Sequence, residues 1–153
     1  MAKIRIMTEK DIDVAKKLMK ALVNEMDERF DEDRWNESIN TRLSDDEIFG
    51  IYFTLIAEES NAGEKGKICG IAFSEVREEI PGSVIYGYIS NVYVIPEKRN
   101  NGIGTQLLKE SIKSLKRSNV SKIRLNIKSN MESGLKIVKK IGFKEISKTM
   151  EIN

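Results

Sequence analysis

The sequence predicts an α/β domain: a central mixed, mostly antiparallel sheet flanked by helices. Three observations carry this. Hydrophobic periodicity alternates between periods of 2 and 3.6 in the order strand, two helices, three strands, helix, strand, helix, strand. The three middle strands are joined by short turns, which makes them antiparallel neighbours. A strand at 84–95, a helix and a strand at 120–127 form a right-handed crossover, which makes those two strands parallel. At 153 residues the chain is read as a single domain, 1–153, with room for a sizeable core.

The elements are read in order. Residues 3–7 form a short strand, and Thr8 caps a helix with Asp11 three positions on as capping-box partner. Ile12, Ala15, Leu18, Met19, Leu22, Val23 and Met26 share one helical face, which places an amphipathic helix over 9–29. A shorter helix spans 33–49, with Trp35, Ile39, Leu43 and Ile48 on its apolar side. Strands follow at 51–58, 67–77 and 84–95, separated by turns at 61–66 and at Pro81-Gly82-Ser83. A helix over 102–117 turns Ile103, Leu107, Ile112 and Leu115 inward. The strand 120–127 comes next, then a helix over about 131–141 stopped by Gly142, and a last strand from Phe143 to Ile152.

Composition narrows the chemistry. The apolar fraction of 40% and charged fraction of 33% are those of a globular protein. A formal net charge of +2 supplies no bulk field for nucleic acid or membrane, and no apolar run is long enough to span a bilayer. The start lacks a signal-peptide core, so the expected compartment is the cytoplasm. The chain has no histidine and one cysteine, Cys69, set in an apolar stretch. That removes histidine triads, disulfides and the usual zinc sites, and no metal is expected. Cys69 reads as a buried structural thiol. Proton transfer is left to Glu, Asp, Tyr, Lys, Cys or water.

Residues 92–108, VYVIPEKRNNGIGTQLL, are the most informative segment. A β-branched strand ends at Ile95, Pro96 stops it, and two glycines open an amphipathic helix. This exposes backbone N–H groups at a helix start, where they can hold an anion. Arg99 adds a planar fork suited to phosphate oxygens. A dinucleotide fingerprint would need a glycine where Leu107 stands, and a Walker loop has no match.

Arg99-x-x-Gly102-x-Gly104, between that strand end and Leu107-Leu108, resembles the pyrophosphate motif of the GNAT superfamily of acetyl-CoA-dependent N-acetyltransferases. The element order and the Gly142-Phe143 pair match this family along nearly the whole chain. The resemblance implies acetyl-CoA as co-substrate. Val92, Tyr93 and Val94 would bind its pantetheine arm, with the Val94 N–H facing the thioester carbonyl. The pyrophosphate would meet Arg99 and the N–H groups of Asn100, Asn101, Gly102, Ile103, Gly104 and Thr105. Asn130, one residue before the family's usual Asn position at Met131, reads either as a cofactor contact or as a helix cap. The family's common acid, a tyrosine, falls on Val138. Tyr88 and Ser90 occupy strand positions where many members carry glutamate, and Glu75 is the nearest carboxylate. These three are the catalytic candidates, each with an ordinary strand residue as the alternative.

The family places its acceptor against the loop between the first two helices. Here 24–35 carries Glu25, Asp27, Glu28, Asp31, Glu32 and Asp33 against Arg29 and Arg34. The segment reads as a solvated helix end or as an acidic funnel for a cationic amine, walled by Phe30 or Trp35. The expected reaction is direct acetyl transfer in a ternary complex to a primary amine. A small polyamine-like acceptor is preferred over a protein N-terminus or lysine. The alternative is a non-catalytic acyl-CoA-binding regulatory module. The resemblance is compatible with a homodimer, for which the sequence marks no interface.

Overall fold

Strand β1 (Lys3–Ile6) is followed by a 3-10 turn (Glu9–Asp11) and helices α1 (Ile12–Glu25) and α2 (Glu32–Asp45). Strands β2 (Tyr52–Glu59), β3 (Lys67–Glu79) and β4 (Val84–Val94) come next, then a second 3-10 turn (Pro96–Lys98), helix α3 (Ile103–Lys116), strand β5 (Ile123–Leu125) and helix α4 (Glu132–Ile141). The structure is a computed structural model and describes residues 2–45, 51–60, 66–79 and 82–153. The sheet order is β1-β2-β3-β4-β5. The first four strands are antiparallel, and β4 and β5 are parallel, as the crossover requires.

The helices cover the two faces of the sheet, because the central strands β2 and β3 are buried on both sides along their middles. On one face α1 and α2 bring Leu18, Met19, Leu22, Trp35 and Ile39 onto Ile56, Ile71, Phe73 and Tyr93. On the other, α3 sets Ile103 and Leu107 onto Leu55, Ala57, Cys69 and Ala72. Leu108, Leu115 and Val138 pack there around Ile89. The start of α1 is pinned by charge. The Arg5 guanidinium donates twice to the Asp11 carboxylate, at 2.9 Å each, and once to Glu58 at 2.6 Å. Asp11 also accepts the Thr8 N–H at 2.8 Å, the second half of the expected capping box.

The structure revises several boundaries. The helix expected over 9–29 begins as a 3-10 turn and ends at Glu25, where Asp27 takes a left-handed φ of 55° and turns the chain. The second helix runs Glu32–Asp45, and Ile48 lies outside the described residues, as do most of the turn at 61–66 and Pro81. The strand expected over 120–127 is ordered as a ladder only at Ile123–Leu125. The last strand, expected over 143–152, does not form. Alternation alone makes no strand: a ladder partner must satisfy the backbone, and residues 144–153 are exposed and, among the described residues, pair with no strand.

Candidate active site

The site begins with an irregularity in β4. The β3–β4 register runs evenly from Glu79↔Val84 to Phe73↔Ser90, then shifts so that Ile71 opposes Tyr93. Asn91 absorbs the extra residue with a left-handed φ of 53°, a conformation asparagine tolerates. The parallel β4–β5 ladder stops just before this bulge, at Ile89↔Leu125. Beyond it, Ser90 to Val94 stay joined to β3 while β5 ends, so one edge of β4 opens.

The direction of the exposed groups follows from the ladder. The Ile95 N–H donates to the Cys69 carbonyl at 2.9 Å, which makes that pair hydrogen-bonded. By the alternation of an antiparallel ladder, Val94 then turns its N–H and C=O the other way, into the gap beside β5.

The turn after β4 sits at the mouth of this gap. Pro96–Lys98 form one 3-10 turn, Asn100 takes φ 64°, and Gly102 caps α3 at φ 79°. Only glycine adopts that last value without strain. A Cβ built on Gly102 would meet nothing within 4 Å, and one built on Gly104 would meet only the Val94 Cγ2, at 3.9 Å. The start of α3 is therefore bare backbone facing open space next to Val94. Its first N–H groups have no partner inside the helix. These features fit a pyrophosphate at the turn and an acyl-bearing arm along Val92–Val94. Bound acetyl-CoA would supply an activated thioester carbonyl there.

Arg99 is placed differently from the phosphate fork that the sequence suggested. Its Nε donates to the Val94 carbonyl at 2.8 Å and its Nη2 to Glu25 at 2.7 Å, with the guanidinium 5.3 Å from the Tyr93 ring. The Tyr93 hydroxyl donates to the same Glu25 oxygen at 3.4 Å. Burial, with Glu25 beside it, raises the Tyr93 phenol above its ordinary range, so it stays a neutral donor at neutral pH. The sequence reading named Glu25 only as one of six acidic residues in the segment 24–35. In the structure it is the last residue of α1, within reach of the Tyr93 hydroxyl on β4.

Glu75, Tyr88 and Ser90 come together on the sheet face covered by α1 and α2, since Glu75 opposes Tyr88 and Ser90 opposes Phe73. Glu75 accepts from Arg77 at 2.9 Å and lies 3.5 Å from Arg42, and the Arg77 guanidinium stacks 3.7 Å over Tyr88. A cavity of about 490 Å³ opens beside this cluster, lined by Arg34, Glu37, Ser38, Thr41, Arg42, Tyr52 and Glu75. Asn130 is exposed and precedes Met131, which holds the cap position of α4. Val138 is buried against Ile89 and Leu115 and has no proton to give. Cys69 is buried, its thiol pushed upward by desolvation, as a structural cysteine should be.

The profile of the acetyltransferase (GNAT) family matches residues 16–143. The chain belongs to the acetyltransferase (GNAT) family. Two curated relatives are named N-alpha-acetyltransferase. The one from Sulfurisphaera tokodaii is 32% identical over 75 residues, 48% of this chain and 44% of that protein. The one from Saccharolobus solfataricus is 28% identical over 96 residues, 62% of this chain and 57% of that protein. The chain thus matches about half the length of these relatives. Among solved structures, a predicted acetyltransferase from Clostridium acetobutylicum, crystallised with acetyl-CoA, is 26% identical with a TM-score of 0.79, covering 100% of this chain and 96% of that one. The mixed sheet with a split between its two parallel strands is this GNAT fold. Among the described residues no group of three or more His, Cys, Asp or Glu side chains is arranged to hold a metal, and no helix is long and apolar enough to cross a membrane.

Proposed function

We propose that this GNAT protein transfers acetyl from acetyl-CoA to the α-amino group of a polypeptide. The observation that carries the reading is the opened edge of β4, with the Val94 N–H aimed into the gap and the bare start of α3 beside it. Val94 N–H donates to the carbonyl oxygen on which negative charge gathers during attack. The N–H groups from Asn100 to Thr105 fix the pyrophosphate end and so set the reach of the arm. On the α1 side Glu25, with Tyr93 and Arg99, takes the acceptor ammonium and receives its proton through water. Glu75, Tyr88 and Ser90 shape the adjoining face. The names of the two curated relatives favour an α-amine over the polyamine-like acceptor suggested by the acidic segment alone.

The test is thiol release from acetyl-CoA across peptides with free or blocked N-termini, lysine-only peptides and polyamines. Release with free N-termini alone is expected. Turnover confined to polyamines would move the acceptor class. Tight acetyl-CoA binding with no turnover on any amine would establish the non-catalytic binding module instead.

A further inference from the structure

The formal charge of +2 conceals a separation. Residues 1–95 carry 12 Lys and Arg against 19 Asp and Glu, a net of −7, and residues 96–153 carry 14 against 5, a net of +9. The fold gathers much of the second group at one end. β4 and β5 are parallel, so α3 runs back along the sheet, and its Leu115 sits against Gly87, opposite the start of β5. α4 begins beside Ile127, after β5, and its Val138 packs in one cluster with Leu115. The C-terminal turns of both helices therefore meet at the end of the sheet opposite the Val94 gap. Lys113 and Lys116 close α3, Lys139 and Lys140 close α4, and Arg117 and Lys122 follow α3. All six are exposed, and among the described residues none has an ion-pair partner. Nearby, Glu79 and Glu145 are already paired with Arg124 and Lys148.

Two local causes are too small to account for this end. A helix dipole places about half a negative charge at each C-terminus, which does not neutralise six cations. The cofactor cradle does not need them either. Along α3, Lys113 and Lys116 lie about 17 and 21 Å from Gly102, well beyond the screening length of about 8 Å at physiological salt. The composition narrows the partner. Five of the six are lysines, a residue depleted from protein–protein interfaces, and neither α3 nor α4 holds an aromatic residue to anchor one. Within α3 and α4 no large apolar side chain is exposed, so nothing there inserts into a lipid surface. Both helices bury one side on the sheet, so neither can enter a DNA major groove. What is left is contact with phosphates across a surface, the way duplex RNA is held.

We propose that the shared C-terminal end of α3 and α4 docks on the phosphate backbone of duplex RNA, leaving the gap beside β4 free at the opposite end. The inference does not depend on the proposed reaction.

The experiment is fluorescence anisotropy of a labelled RNA duplex of about 20 base pairs, titrated with the full chain at several salt concentrations. Six phosphate contacts give a slope of about −5 in log affinity against log salt, a loss of about 1,000-fold between 50 and 200 mM. Combining Lys116→Ala, Lys139→Ala and Lys140→Ala should make the slope shallower by about 3, with the far-UV circular dichroism unchanged. Duplex DNA of the same sequence and vesicles containing phosphatidylglycerol are the competitors. Absence of saturable RNA binding at 50 mM salt would overturn the proposal. So would a salt slope indifferent to the triple variant, or tighter binding to the DNA or the vesicles than to the RNA.

Discussion

Gly104→Ala should make the protein more stable and its acetyl-CoA binding weaker. Gly104 is the second residue of α3, and its built Cβ meets only Val94 Cγ2 at an ordinary contact distance of 3.9 Å. Alanine therefore fits without strain and removes unfolded-state freedom, a gain of about 0.5 kcal/mol in a first turn. For a chain of this size that raises Tm by roughly 1–2 °C. On the proposed reading, however, the same methyl group stands where a pyrophosphate oxygen approaches the backbone. Losing one charge-assisted hydrogen bond costs about 1.5–3 kcal/mol, which is roughly 10- to 100-fold in Kd. Ligand at 100 times the wild-type Kd stabilises by about 2.7 kcal/mol, and a 30-fold weaker variant would keep only about 0.9 kcal/mol of that. Scanning calorimetry with and without acetyl-CoA reads both effects. Wild-type affinity in the variant would refute the cradle, and a lowered Tm without ligand would refute the claim that Gly104 faces open space.

Glu25→Gln keeps the shape but removes the charge facing Arg99 and Tyr93. The KM for the amine should rise about tenfold while acetyl-CoA affinity stays within twofold, a split that steady-state kinetics and calorimetry separate. Asp11 has its carboxyl held below the ordinary range by the Arg5 hydrogen bonds. A depressed pKa stabilises the fold above the ordinary value of 3.8, and that contribution is lost as pH falls through the folded-state value. Asp11→Asn should therefore cost about 2 kcal/mol at neutral pH, and urea unfolding should show the gap to wild type narrowing in acid. Leu107 is fully buried between α3 and the sheet. Leu107→Ala should cost about 3 kcal/mol, seen as a Tm roughly 6–12 °C lower, with acetyl-CoA binding retained.

The elements with strong periodicity were legible. α1, α3 and the three long strands read correctly because each buries a regular stripe, and the split between parallel and antiparallel neighbours followed from connection lengths. The glycine turn was legible because φ 79° at Gly102 demands glycine. The bulge was not, because nothing in Ser-Asn-Val marks which residue will take a left-handed conformation. Arg99 was legible as a charged residue at the turn but not in its direction, which is decided by Glu25, 74 positions away in sequence. Glu25 itself was hidden among other acids, since local sequence cannot show which of them ends a helix against β4. The strand at 143–152 had the right pattern, yet a pattern specifies a face to bury and not the surface that buries it.

The three-residue length of β5 ties these observations together. A longer β5 would pair with Ser90 to Val94, satisfy the Val94 N–H and close the gap on which the proposed chemistry depends. Stopping at Leu125 leaves that edge of β4 open. The same stop leaves Ile127 and its neighbours half-covered and the outer edge of β5 short. The open site is thus a consequence of where β5 stops, and lengthening β5 should abolish acetyl-CoA binding.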